Sequence, residues 1–156
     1  MNSYQGSCHC GAIRVTLRSR KTAAELGARS CQCSFCRSHG ASWTSDPAGA
    51  LDVVIAGNVS RYRLGTGTAE FLVCTVCGVV PAVTWESEGR LLSVVRVDCL
   101  RERDELLAHA TDADFDGEVL AQRLARRSRN WTPVTVRTEG ASSSEADEAP
   151  PFRMAN

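Results

Sequence analysis

Short stretches in which polar and apolar positions alternate recur through residues 1 to about 100, which read as β. Ile13, Val15 and Leu17 alternate with Arg14, Thr16 and Arg18, the period-two pattern of a half-buried strand. Residues 51–55 form a short apolar run bounded by Gly49 and Gly57, and residues 61–64 alternate up to Gly65. Residues 70–73 lead into Cys74, while 82–85 and 91–97 flank Glu86-Ser87-Glu88-Gly89, a hairpin connection. Short strands with Gly-rich turns at this spacing predict a mostly β fold of several coiled antiparallel sheets, not a series of βαβ units.

Helical character is strongest over residues 116–129. Asp116 is the expected cap, Glu118 sits in the first turn, and Arg126, Arg127 and Arg129 fall at the end, an order that suits the helix dipole. Val119, Leu120 and Leu124 supply an apolar face for packing on the sheet. A closing strand follows, so residues 1–138 read as one β domain with one short C-terminal helix. Residues 139–156 are small, polar and acidic. They carry too few apolar groups to offset the entropy of ordering, and a flexible tail is expected there.

Composition narrows the function. The chain has 156 residues, enough for one sizeable core, and 18 basic against 18 acidic side chains. A net charge of zero argues against nucleic acid as partner. Residues 1–6 are polar and carry no secretory signal, and no apolar stretch approaches the roughly 18 residues of a membrane span. No membrane association and a cytoplasmic location are therefore expected. In a reducing compartment, eight cysteines point to metal ligands before disulfides.

Seven of those cysteines fall into three clusters: Cys8-x-Cys10, Cys31-x-Cys33-x-x-Cys36 and Cys74-x-x-Cys77. Gly11 and Gly78 follow two of them, where the chain must bend sharply. A structural zinc takes four protein ligands, and a catalytic zinc takes three and leaves a position open. Cys8, Cys10, Cys74 and Cys77 make one full tetrahedron, leaving Cys31, Cys33 and Cys36 for a second ion. Two zinc ions per chain are expected. His39 and Cys99 are the candidates for a fourth ligand at the second site. His9 should point away from the first if its neighbours point toward it.

Charge then selects a chemistry for an open second site. Three thiolates donate charge to zinc and weaken the activation of water that three neutral histidines would give. A further sulfur ligand suits such a site, held as thiolate, its nucleophilic form. The natural reaction is addition of a thiol to a small electrophilic carbon such as an aldehyde.

The cysteine motifs also carry a resemblance. Gly6-Ser7-Cys8-His9-Cys10-Gly11-Ala12-Ile13, Cys31-Gln32-Cys33-Ser34-Phe35-Cys36-Arg37 with Gly40-Ala41, Gly57-Asn58-Val59-Ser60-Arg61-Tyr62 and Phe71-Leu72-Val73-Cys74-Thr75-Val76-Cys77-Gly78 occur in order. Over residues 5–100 the chain resembles the glutathione-dependent formaldehyde-activating enzyme family, which includes centromere protein V-like zinc proteins. That resemblance implies a mostly β zinc fold of several coiled sheets. It also implies a structural zinc on Cys8, Cys10, Cys74 and Cys77, and a catalytic zinc on Cys31, Cys33 and Cys36. The activity it implies is a carbon–sulfur lyase reaction run toward synthesis, joining glutathione and formaldehyde as S-hydroxymethylglutathione in a detoxification role. Glutathione has two carboxylates, so cations should line its site. Arg37, beside the third ligand, is the first candidate; Arg61 and Arg63 come next, with Ser38, Ser42, Trp43 and Thr44 available at the same mouth. The competing expectation is a zinc-stabilised binding or chaperone-like module, in which a protein side chain closes the second site.

Overall fold

The computed structural model describes residues 1–139, so most of the predicted acidic tail lies outside the described residues. The order along the chain is β1 (Asn2–Ser7), β2 (Ile13–Ser19), α1 (Ala23–Leu26), β3 (Ala28–Cys31), α2 (Ser34–His39), β4 (Ser42–Thr44), β5 (Ala50–Ala56), β6 (Val59–Tyr62), β7 (Glu70–Cys74), β8 (Ala82–Ser87), β9 (Arg90–Arg96), α3 (Arg103–Leu107), β10 (Ala110–Ala113), α4 (Leu120–Asn130) and β11 (Thr132–Glu139). The mostly β expectation is met. Strand follows strand because β-branched and aromatic residues at alternate positions are cut by glycines that adopt left-handed turns.

The strands join in one hydrogen-bonded path, β1-β2-β5-β11-β9-β4-β3-β10, with β8, β7 and β6 branching from β9. Most pairs are antiparallel, including the β8–β9 hairpin, where Glu88 and Gly89 both turn with positive φ between Ser87 and Arg90. Two pairs are parallel, β11 with β5 and β10 with β3, which the local patterns did not indicate. β11 changes partner along its length: Thr132 and Pro133 pair with β9, and residues 134–139 pair with β5.

Alternation decides what is buried. Ile13, Val15 and Leu17 in β2 and Leu51, Val53 and Ile55 in β5 are at most 1% exposed, and each such side chain adds roughly 1.5–3 kcal/mol over leaving it in water. They form the first core with Leu26 of α1 and Leu106 of α3, and Cys8 and Cys74 sit in it. A second core gathers Trp43, Val83, Trp85, Val94 and Trp131 and includes Cys36. Each cysteine group therefore borders its own core.

Several expectations shift. The strand over 61–64 begins earlier, at Val59, because its register is set by pairing with Cys74 through Phe71 of β7. Glu139, assigned to the tail, ends β11, where it pairs with Ala56 and forms an ion pair with Arg14. The C-terminal helix starts at Leu120, not near Asp116: Gly117 turns at φ 73°, and Val119 stands at the N-cap, its N–H donating to Gln122 Oε1. The apolar face is also narrower. Val119 and Leu120 are exposed, Leu124 alone of the three packs on the second core, and the buried residue of α4 is Arg127. Its guanidinium lies 5.0 Å from the Trp131 ring and 5.9 Å from the Trp85 ring, so cation–π contacts replace the expected aliphatic face.

Candidate metal and active centre

Two tight turns of similar design build the first cluster. After β1, the Cys8 N–H donates to the Ile13 carbonyl at 2.8 Å, the Gly11 N–H to the Cys8 carbonyl, and the Ile13 N–H to Cys8 Sγ at 3.2 Å. After β7, the Cys74 N–H donates to the Val79 carbonyl and the Gly78 N–H to the Cys74 carbonyl. Gly11 and Gly78 have φ of 82° and 74°, conformations that disfavour a side chain. The turns face each other and bring four sulfurs within 4.8 Å of one another. Cys8 Sγ lies 3.6 Å from Cys10 Sγ, which lies 3.5 Å from Cys74 Sγ. A tetrahedron with bonds of about 2.3 Å has edges of about 3.8 Å, so the spacing fits one ion. Cys8 and Cys74 are buried and Cys10 is exposed. His9 is exposed and stands outside the cluster, as its place between two inward cysteines required.

The second cluster is local. Cys31 ends β3, Cys33 is the N-cap of α2, and Cys36 lies in its first turn. The Cys36 N–H donates to Cys33 Sγ at 3.4 Å, and Gly40, in the left-handed region, ends the helix. The three sulfurs lie within 4.8 Å of one another. Among the described residues no fourth His, Cys, Asp or Glu joins them. His39 is occupied elsewhere: its ring stacks on Phe35 at 4.2 Å, and Nδ1 is 2.9 Å from the Phe35 carbonyl. Cys99 lies in the Val97–Cys99 turn, where burial pushes its thiol up to about 12, with the Cys8 and Cys77 sulfurs adding to the rise. It therefore stands nearer the quartet than the trio.

The trio shares its protons unevenly. Cys31 is lowered to about 6, first by the hydrogen bond from the Cys36 thiol, then against its burial by the Cys33 N–H and thiol and by the Arg126 charge. Cys36 moves up, first because its thiol donates to the Cys31 sulfur, then through burial and the Cys31 charge. Trp43 counters this by donating its indole N–H to Cys36 Sγ at 3.2 Å. Phe35, between two of the ligands in sequence, stacks on Tyr62 at 5.4 Å and meets Phe71 at a tilt of 60° with centroids 4.5 Å apart, giving the trio an aromatic flank.

The predicted cations all stand at the surface. Arg37 is exposed. Arg61 and Arg63 are half-exposed, and both pair with Glu70. Ser42, Trp43 and Thr44 are buried, while Ser38 is exposed and donates to the Phe35 carbonyl. Sequence reasoning did not select the side chains that act on the trio's surroundings: Phe71 and Tyr62, which pack on Phe35, and Arg126, whose charge lowers Cys31. The basic run Arg126-Arg127 was the visible signal, but its proximity to Cys31 is a product of the tertiary fold.

Comparison with known proteins gives three findings. The sequence model of the family described as glutathione-dependent formaldehyde-activating enzyme matches residues 3–113. A crystal structure of a Rhodobacter sphaeroides protein is similar with a TM-score of 0.50 at 27% identity, covering 86% of this chain and 99% of that one. A stretch of 51 residues is 37% identical to part of a 4-hydroxy-tetrahydrodipicolinate synthase from Prochlorococcus marinus and 33% identical to part of one from Synechococcus. These alignments cover 33% of this chain, which spans about a sixth of the length of those curated relatives (17%).

Proposed function

This chain belongs to the glutathione-dependent formaldehyde-activating enzyme family, and from that premise we propose that it joins a thiol, glutathione or a close analogue, to formaldehyde or another small aldehyde. In this reaction the thiol sulfur bonds to the carbonyl carbon, the C=O π bond breaks, and the thiol proton passes to oxygen, leaving an S-hydroxymethyl adduct. Read in reverse, it is a carbon–sulfur lyase reaction.

The observation that carries the reading is the unequal pair of clusters: four converging sulfurs in one and three in the other. All-thiolate donor sets at this spacing suit zinc. Cys8, Cys10, Cys74 and Cys77 would hold one ion structurally, and Cys31, Cys33 and Cys36 would hold the other. Zinc on the trio would supply a Lewis acid that keeps an incoming thiol ionised near neutral pH.

The chain's own residues do the rest. Trp43 fixes Cys36 and favours its thiolate. Phe35, Phe71 and Tyr62 form an aromatic flank on which the apolar part of a substrate would rest.

Metal analysis and product detection test the reading together. Zinc-loaded protein is expected to hold two equivalents and Cys33→Ser about one. Glutathione should change the visible spectrum of a cobalt-loaded trio, and ¹³C-formaldehyde with glutathione should give S-hydroxymethylglutathione faster than without protein. Retention of both ions and of the thiol response by Cys33→Ser would overturn it.

A further inference from the structure

An arginine cluster borders the trio. Ala113 of β10 pairs with Cys31, and its carbonyl accepts the Gln32 N–H at 3.0 Å. Two residues on, the Phe115 ring carries the Arg126 guanidinium at 3.5 Å. Leu124, on the same helix as Arg126, packs in the core cluster beside Cys31, Cys33 and Phe35. Arg29 lies two residues before Cys31 and so on the same side of β3. It donates to Ser45 Oγ at 2.6 Å, and that hydroxyl donates to the Asn130 carbonyl at the end of α4. The strand holding Cys31 and the helix holding Arg123, Arg126 and Arg127 are thus tied together at both ends of the trio.

Charge in this cluster is unbalanced. Glu118 meets Arg126 through both oxygens, at 2.9 Å each, and reaches Arg123 Nε at 3.7 Å. Among the described residues, no acidic group lies within ion-pair distance of Arg29 or Arg127. Arg127 is only 8% exposed, and its Nε and that of Arg123 are buried without an acceptor. Burial, followed by the Arg123 and Arg126 charges, lowers Arg127 to about 10. Glu118 thus pairs with two of the four guanidiniums, while Arg127 donates to Thr68 Oγ1 at 2.8 Å and Arg29 to Ser45 Oγ, neither of which carries charge. Buried charge left uncompensated is costly, and the guanidinium fork matches a carboxylate in two parallel hydrogen bonds.

We propose that Arg29, Arg123, Arg126 and Arg127 form a carboxylate-reading subsite beside the trio, selecting a thiol that carries carboxylates, and that Glu118 occupies it until such a substrate displaces it. This rests on the thiol reading above and assigns to α4 the role that the sequence suggested for Arg37. Glu118 acts as a resident competitor: an incoming carboxylate takes over its bidentate place on Arg126.

The test compares two thiols, anionic glutathione and uncharged 2-mercaptoethanol, titrated into the cobalt-loaded full chain and followed by visible absorption. Wild type should bind glutathione more tightly. Arg126→Gln should weaken glutathione about tenfold more than it weakens 2-mercaptoethanol, the scale of one charged hydrogen-bonded pair. Glu118→Gln should tighten glutathione alone. Arg123→Gln provides a second removal of charge should Arg126→Gln fold poorly, as judged by its melting temperature. Equal affinities of wild type for the two thiols, equal weakening of both by the arginine variants, or weaker glutathione binding by Glu118→Gln would each overturn the subsite while leaving the thiol reading standing. No spectral response to either thiol would remove that reading and this subsite with it.

Discussion

Cys36 depends on a donor outside the cluster. The Trp43 indole N–H is 3.2 Å from its sulfur, in a site 6% exposed, where water offers no substitute. Trp43→Phe keeps the ring and removes the donor. Metal affinity at the trio is expected to fall about tenfold while that of the quartet holds, measured by competition with a coloured chelator. Equal affinity of the variant and wild type would show that the N–H contributes nothing. At this scale the cysteines were legible, because ligands two or three residues apart must converge whatever the rest of the chain does. The influence of Arg126 was not: Arg37 is adjacent to Cys36 in sequence and exposed, whereas Arg126, 90 residues beyond Cys36 and seated over the Phe115 ring, is the arginine whose charge lowers Cys31. Sequence proximity is a poor guide for a side chain on a helix surface, whose direction is set by the helix's own packing.

Gly6 is the tightest point among the elements. A Cβ there would lie 1.8 Å from the Cys99 carbonyl oxygen, where the 97–101 segment crosses β1 through the Gly6–Leu100 bridge and the Arg101 N–H to Gln5 carbonyl bond. Gly6→Ala must push backbone from backbone, and it is expected to cost about 3 kcal/mol by denaturant unfolding. A loss under about 0.5 kcal/mol would show that the crossing yields freely. β2 and β5 were readable because one face is buried and the other wetter, and β8 and β9, buried on both faces over four residues, were readable as apolar runs flanking a turn. α1 carried a readable signal that was passed over, Thr22-x-x-Glu25: the Thr22 N–H donates to Glu25 Oε2, and Thr22 Oγ1 accepts from the Glu25 N–H. β1, β3 and β10 have little alternation, and partners distant in sequence define them. The start of α4 was misread because Asp116 looks like a cap, yet Gly117 behind it turns the chain away from the helix.

On the scale of the molecule, each cluster closes a different core. The quartet ties the turn after β1 to the turn after β7, joining segments 64 residues apart at Cys10 and Cys74. A structural zinc binds with roughly 10–16 kcal/mol, comparable to the roughly 5–15 kcal/mol that separates a folded domain from its unfolded chain. Chelation at neutral pH is therefore expected to abolish the near-ultraviolet signal of the buried tryptophans and the cooperative melting transition. A chelated protein with an unchanged melting curve would show that the cores stand without metal. The mostly β class was legible from spacing alone. The two parallel pairs were not, since nothing in a strand's own alternation records the direction of its neighbour.

β11 links the two halves of the sheet path: β5 lies on one side of it and β9 on the other. Translation delivers residues 132–139 after every segment they join. Until then the facing edges of β5 and β9 are open, although the Gly6–Leu100 bridge, the Arg101–Gln5 hydrogen bond and the cysteine quartet already join the two sets of strands. The final joining must follow emergence from the ribosome, and until it occurs those edges are the places where one newly made molecule can wrongly capture another.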